Sequence, residues 1–195
     1  LVSAGVLSQG DVDAEVDAYK REFAAAAEGV GLSIGTEACG VHGRLEVTPT
    51  ETGVAKETLV KIGRSLVQWS DGFKAHPKLA KIIEKRVETI EAGEGIEWGV
   101  AEALAFGSLL LDGRSVRLSG QDCCRGTFSH RHLVLDHYEG GSTFSPLVEL
   151  ATREGAQGVF EVFNSSLSEA AVLGFEFGYA ATKHDTLTMW EGQFG

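Results

Sequence analysis

Val159-Phe160-Glu161-Val162-Phe163-Asn164-Ser165-Ser166-Leu167-Ser168-Glu169-Ala170-Ala171-Val172-Leu173-Gly174-Phe175-Glu176-Phe177-Gly178-Tyr179 reads as a strand, a short polar turn and a helix. Residues 159–163 are a short run of the apolar, strand-forming type. From residue 168 to 181, Val172, Leu173, Phe175 and Tyr179 mark a helix rich in small residues. Leu187-Thr188-Met189-Trp190 follows as a further strand, and Val116-Arg117-Leu118 precedes as an earlier one. An apolar helix over residues 97–111, with Trp98, Ala101, Leu104, Ala105 and Leu109, leads into that earlier strand. Strand–helix–strand alternation argues for an α/β layer on a parallel sheet. The stretch between the first two strands, residues 119–145, reads as long and irregular, and long loops at strand ends of such sheets tend to carry function.

The upstream half is helical. Val12, Val16, Tyr19 and Phe23 predict a helix over residues 9–28, with Ser8 and Asp11 as a capping-box-like start. Residues 29–54 hold six glycines and Pro49 and read as a linker or an extended excursion. Within them Gly29-Val30-Gly31-Leu32-Ser33-Ile34-Gly35 is a near miss for the dinucleotide fingerprint, since it follows a helix and its third glycine is displaced. Leu59, Ile62 and Leu66 mark a second helix. Leu79, Ile82, Ile83, Val87 and Ile90 mark a third, opened by Pro77 and closed by Gly93. Its outer residues Lys81, Glu84, Lys85, Arg86, Glu88 and Glu91 read as a solvated face.

Composition narrows the function classes. The 195 residues are 43% hydrophobic and 23% charged, enough for a real core and inconsistent with general disorder or a disulfide-stapled miniprotein. The balance of 28 acidic against 17 basic residues, a net charge of −11, argues against nucleic acid or an anionic membrane as partner for the surface. Apolar runs such as Leu109-Leu110-Leu111 fall far short of the roughly 20 residues of a membrane helix, and no signal peptide is legible at the start. The odd set Cys39, Cys123 and Cys124 predicts a reduced, intracellular compartment. The chain starts at Leu1, has Met189 as its only methionine and stops just past an apolar strand, so it reads as an internal piece of a longer protein.

Two polar clusters follow strands. Ser119 to His132 hold Cys123, Cys124, His130 and His132, with His137 beyond. These types can ligate zinc, although neither a CxxC nor an HxxxH pair is present. A nucleophilic cysteine would need a paired base, which no spacing here fixes. The plainer readings are a loop folded on its own polar contacts or a binding loop. In the second cluster, Asn164 to Glu169, Ser168 is placed to cap the following helix. Glu169 then reads either as a routine first-turn acid favoured by the helix dipole or as a ligand-facing group at the carboxyl edge of a parallel strand. The small residues Ala170, Ala171, Gly174, Gly178, Ala180 and Ala181 let that helix approach another backbone closely, across a subunit interface for example. No Walker motif and no GxSxG elbow occur.

Six runs taken in order carry a resemblance: Trp98-Gly99-Val100-Ala101-Glu102-Ala103-Leu104-Ala105; Val116-Arg117-Leu118-Ser119-Gly120-Gln121-Asp122; Arg125-Gly126-Thr127-Phe128-Ser129-His130-Arg131-His132; Asn164-Ser165-Ser166-Leu167-Ser168-Glu169; Gly174-Phe175-Glu176-Phe177-Gly178-Tyr179; and Trp190-Glu191-Gly192-Gln193-Phe194-Gly195. They resemble the thiamine-dependent, decarboxylating component of the 2-oxoglutarate dehydrogenase complex. The resemblance implies a helical linker followed by the first part of a parallel-sheet, three-layer, transketolase-like pyrimidine-binding domain. Residues 1–52 would be the end of a preceding domain with its linker, 53–94 a helical connector and 95–195 the truncated pyrimidine-binding domain.

The resemblance also implies chemistry. Thiamine diphosphate would lie at a homodimer interface, and Glu169 would be the cofactor-activating glutamate, buried and bonded to a pyrimidine ring nitrogen so that the imino tautomer is favoured. The cofactor then serves as electron sink for decarboxylation. Gln121 and Phe194 would touch the cofactor, and the loop with His130 and His132 would line the substrate region. The family's Mg²⁺ ligands are a Gly-Asp pair and a later asparagine. This chain has Gly10-Asp11, but its only asparagine is Asn164, so the metal site is expected outside these residues. Gly192 stands where alanine is more usual, and Cys123-Cys124 fills a variable pair. The implied activity is succinyl transfer from 2-oxoglutarate to lipoyl-lysine in the tricarboxylic acid cycle, with dihydrolipoyl succinyltransferase and dihydrolipoyl dehydrogenase as partners. The compartment would be the mitochondrial matrix of a eukaryote or the bacterial cytoplasm. A 2-oxoadipate-specific sibling, an inactive binding or assembly fragment, and a zinc-binding loop module on Cys123, Cys124, His130 and His132 are the other readings.

Overall fold

Val116 and Leu118 point to one face of their strand and Arg117 and Ser119 to the other, which sets both layers of the fold. The structure is a computed structural model that describes residues 2–3, 5–30 and 51–193. It divides into two units, Leu1–Thr48 and Pro49–Gly195.

The described part of the first unit is one long helix, α1 (Gln9–Val30). Its start is the expected box. Ser8 Oγ accepts from Asp11 N–H at 3.1 Å, and Asp11 Oδ2 accepts from Ser8 N–H at 2.8 Å. The Ser8 side-chain and backbone bonds hold the Asp11 carboxyl below the usual carboxylate range. The predicted apolar stripe of Val16, Tyr19 and Phe23 is exposed, because no second described element of this unit packs on it. Residues 31–50 of the glycine-rich stretch, with Cys39, and Phe194 lie outside the described residues.

The second unit opens with α2 (Lys56–Ser65) and α3 (Pro77–Ala92). Pro77 at the first turn and Gly93 in the left-handed conformation at the end bound α3 as the sequence predicts, and the His76 side chain accepts from Lys78 N–H. Then come α4 (Trp98–Leu111), β1 (Ser115–Gly120), β2 (Leu135–Asp136), β3 (Thr143–Phe144), α5 (Pro146–Glu154), β4 (Phe160–Asn164), α6 (Glu169–Thr182) and β5 (Thr186–Glu191). The sheet order is β4-β1-β5, all parallel, with Val116 opposite Phe160 on one side and Leu187 on the other. The chain leaves β1 for β4 by way of α5, then crosses back by way of α6 to β5. β1 is thus the point where the winding reverses, the place where ligands bind in such sheets. No described helix is long and apolar enough to cross a membrane.

One core lies beneath the Val116–Leu118 face. Ile62 of α2, Ile83 and Ile90 of α3, Leu104 and Leu110 of α4, and Leu147 and Leu150 of α5 are buried there together. The opposite face carries α6, whose own outer side, with Leu173 and Phe177, stays exposed.

The structure corrects four expectations. Residues 119–145 are not wholly irregular: β2 and β3 pair antiparallel, and α5 follows at once. Arg86 is not on a solvated face. Its side chain is only 12% exposed, paired with Glu97 at 3.5 Å, because its guanidinium reaches a loop carbonyl. Trp98 is 85% exposed, since the buried arc of α4 runs instead through Val100, Ala103, Leu104 and Leu110. The side chain of Ser168 occupies the N-cap position of α6 but caps nothing.

Leu110 has no solvent exposure, so Leu110→Ala should destabilise by about 2–5 kcal/mol in urea titration. Trp98→Ala should change stability by less than about 0.5 kcal/mol.

Candidate active site at the carboxyl ends of the strands

β1 ends at Gly120 and β4 at Asn164, side by side. The turn after β4 is tied back by Ser165 N–H donating to Gly120 O at 2.9 Å. This places the first turn of α6 beside the residue after β1. Gln121 Nε2 accordingly donates to Glu169 Oε1 at 2.9 Å. Two predicted site residues 48 positions apart are thus brought into contact. Glu169 is half-buried in this chain, and among the described residues its Oε2 accepts no hydrogen bond.

The loop after Gln121 folds on itself. The Asp122 carboxylate accepts from Arg125 Nε at 3.0 Å, and that bond holds it below the usual carboxylate range. Arg125 Nη1 donates to Ser129 Oγ at 3.2 Å. Asp122, Ser129 and His132 have φ of 55°, 53° and 55°, and they are the positive-φ non-glycine residues among those described. Each such conformation costs of order 1 kcal/mol, and strain of this kind collects at functional sites.

His130 is seated by two glycines. A Cβ on Gly99 would stand 2.4 Å from His130 O, and one on Gly126, whose φ is +81°, would stand 2.5 Å from the His130 ring. The carbonyl of His130 accepts from Arg86 Nη2 at 2.9 Å, while its Nδ1 is buried without a partner. His132 is half-buried. Burial, and then the Arg86 charge, lower its pKa, with the Ser129 backbone acting the other way. His137 lies elsewhere, edge-on to Phe73 and with Nε2 3.1 Å from Gly72 O. Among the described residues, no three His, Cys, Asp or Glu side chains converge as a metal site.

Between the two histidines stands Arg131, which sequence reasoning passed over. It is 6% exposed. Its Nε and Nη2 donate to Glu102 of α4 at 2.5 and 3.2 Å, and its Nη1 donates to Cys123 O at 2.9 Å and to Glu191 of β5 at 3.2 Å. Burial disfavours this charge, but the bonds to Glu191 and Glu102 outweigh it and keep the guanidinium protonated. A second arginine works on the other face. Arg117 forks onto Glu176, which is 4% exposed, at 2.8 and 2.9 Å, and lies between the rings of Phe163 and Tyr179. One signal was available in the sequence. Glu102, Arg117 and Glu176 are lone charges inside otherwise apolar elements, where an unpaired charge is costly.

With that geometry established, comparison with known proteins gives the class. The chain belongs to the family described as "Transketolase, pyrimidine binding domain", whose profile matches residues 94–195, more than half of its length. Over its whole length it is 41% identical, across 201 aligned residues, to a protein of Bacillus mycoides (strain KBAB4) named 2-oxoglutarate dehydrogenase E1 component, of which it covers 21%. It is 48% identical over 151 residues, 77% of this chain, to the protein of Saccharomyces cerevisiae named 2-oxoglutarate dehydrogenase, mitochondrial, of which that stretch is 15%. A protein of Bacillus cereus (strain AH820) named 2-oxoglutarate dehydrogenase E1 component is 46% identical over 149 residues, 76% of this chain and 15% of that relative. The chain thus spans about a fifth or less of the length of these relatives.

Arg131→Ala would leave Glu102 and Glu191 facing each other without their cation. It should cost about 3–5 kcal/mol in chemical denaturation. A loss below about 1 kcal/mol would mean that the clamp does not hold the loop.

Proposed function

We propose that this chain is part of a 2-oxoglutarate dehydrogenase E1 component, supplying the pyrimidine-side half of a thiamine diphosphate site. The observation that carries this reading is the contact of Gln121 with Glu169 at the reversal point of the sheet, in a chain 41% identical along its whole length to a relative of that name. The residues present fit such a cofactor. Glu169 Oε1 is held by an amide, Oε2 has no hydrogen-bond partner among the described residues to compete with a ring nitrogen, and Ser119 Oγ is buried without a partner on the α6 side of β1. When bound, the cofactor supplies the electron sink that lets a 2-oxo acid lose carbon dioxide.

The chain's own residues supply position and a proton. Glu169 would present Oε2 to the pyrimidine ring of a bound cofactor, as the group through which a proton is shared. Gln121 fixes the carboxyl plane by donating to Oε1, so the rotation that would misdirect Oε2 is suppressed. The Arg131 clamp holds the loop in which Gln121 begins, and the Arg117–Glu176 pair fixes α6 beneath Glu169. His130 and His132 line the substrate side, with His132 favoured neutral. Phe194, outside the described residues, is assigned to the pyrimidine on the resemblance alone.

Residues 1–52, 53–94 and 95–195 are assigned to the end of a preceding domain, a helical connector and the pyrimidine-binding domain. Mg²⁺ and the diphosphate are assigned to parts of the protein outside this chain, across a homodimer interface that the exposed outer side of α6 helps to form. The product is a succinyl group on the lipoyl-lysine of a succinyltransferase, whose dithiol, once the succinyl group has been passed on, is reoxidised by dihydrolipoyl dehydrogenase. The setting is the mitochondrial matrix in a eukaryote or the cytoplasm in a bacterium.

The test is 2-oxoglutarate-dependent reduction of an artificial electron acceptor by the full-length protein with thiamine diphosphate and Mg²⁺. Glu169→Gln should lower kcat by at least about 100-fold. Unchanged activity in the variant would remove Glu169 from the mechanism, and wild-type activity on 2-oxoadipate alone would replace the substrate.

A further inference from the structure

The side chain of Arg86 ties the histidine loop to the connector helix α3. Within the loop, Ser129 N–H donates to Gly126 O at 2.7 Å, and the N–H groups of Arg131 and His132 donate to Arg125 O at 2.9 and 3.0 Å. The His130 carbonyl is turned outward from these bonds, toward α3, where Arg86 Nη2 donates to it at 2.9 Å across 44 residues. A hydrogen bond from a charged donor is stronger than one between neutral groups. The His130 ring has a matching seat. Its Cδ2 lies 3.5 Å from where a Cβ on Gly99 would stand, and its Cε1 lies 2.5 Å from where one on Gly126 would stand. α3, α4 and the loop thus each supply one side of the place that His130 occupies.

Arg86 is an expensive way to build that seat. Its side chain is mostly buried, yet its Nε is buried without a partner, and its neighbour Glu97, at 3.5 Å, is largely exposed. A buried guanidinium with an unmade bond costs stability. Arg131, by contrast, meets Glu102, Glu191 and the Cys123 carbonyl. His130 carries a second deficit, since its Nδ1 is buried without a partner. Polar deficits of this kind collect where side chains are held for function.

We propose that Arg86 is a positioning residue for the substrate side of the site: by holding the His130 carbonyl it fixes the backbone of the histidine loop and the placement of its imidazoles. The inference rests on the functional reading above, in which this loop lines the substrate region, and it makes the connector helix part of the active-site architecture. Loss of the tie raises KM for the 2-oxo acid and leaves thiamine diphosphate affinity unchanged, because Gln121 and Glu169 are held by other bonds.

The experiment uses the full-length protein as wild type, Arg86→Met and Arg86→Lys. Removing the guanidinium strands no buried carboxylate, since Glu97 is largely exposed. Diethyl pyrocarbonate, which carbethoxylates neutral imidazole, is applied in short pulses, and the adducts are located by peptide mass spectrometry. His130 should react at least about tenfold faster in Arg86→Met, the change expected when a hydrogen bond to a charged group is lost from a local opening equilibrium. His137, held by Phe73 and Gly72, should react at the wild-type rate. In the electron-acceptor assay, KM for 2-oxoglutarate should rise at least about tenfold in Arg86→Met, with kcat changed by less than about threefold. Arg86→Lys, which keeps a cationic donor, should recover part of both changes. Unchanged His130 reactivity would overturn the proposal, as would His130 and His137 accelerating together, which reports general loosening. Faster reaction at His130 with KM unchanged would overturn the positioning role, and Arg86→Lys no better than Arg86→Met would overturn the role of the charged bond. Wild-type protein inactive on any 2-oxo acid, with His130 still accelerated in Arg86→Met, would support the tie and sink the functional reading instead.

Discussion

Arg131 carries its charge into the interior, and much of the second unit is arranged around that fact. Taking a guanidinium out of water costs several kcal/mol, recovered only when carboxylates and carbonyls meet it in good geometry. Here they come from three places, Glu102 on α4, Glu191 at the end of β5 and the Cys123 carbonyl. Helix, edge strand and loop are therefore fixed relative to one another by one cation. A one-residue slip of β5 would turn Glu191 to the other face and leave the charge half-paired. The register that avoids this sets Gly120 opposite Glu191. It also defines where the chain leaves β1 and where Gln121 stands.

The other face has its own arginine. Arg117 and Glu176 fix α6 from beneath, and Tyr179 OH donates to Glu161 at 3.2 Å. Glu169 is thus placed by its helix on one side and by Gln121 on the other. The strain in the loop at Asp122, Ser129 and His132 persists because the surrounding bonds over-determine it. Preorganisation of this kind is what a proton-sharing carboxyl requires, since a small misplacement costs much of the advantage of proximity.

The layers of this fold were legible because local signals agreed. Pro77, Gly93 and the Ile83–Val87–Ile90 spacing marked α3, and short apolar runs marked β1, β4 and β5. α5 escaped notice because its buried residues, Leu147, Leu150 and Ala151, fill barely two turns after Gly140-Gly141, although Pro146 was a start signal. The site was legible in a different way. Spacing alone left Glu169 open between a routine first-turn acid and a ligand-facing group. The resemblance carried by the order of whole motifs favours the second, and the contact with Gln121 is what the structure adds. The partners of Arg131 lie 29 and 60 residues away. No local periodicity encodes such pairings, and only the isolation of Glu102 within an apolar helix pointed to one. Arg86 shows the opposite failure, a charge on a polar helix face that turns inward because the carbonyl of His130 lies within reach.

The central claim is that Glu169, oriented by Gln121, handles the proton that activates the cofactor. Proton–deuterium exchange at the thiazolium carbon of thiamine diphosphate bound to the full-length protein tests it most directly, because no substrate or partner enters the readout. Glu169→Gln should slow that exchange by at least about 100-fold while the cofactor remains bound. Exchange at the wild-type rate in the loaded variant would contradict the account.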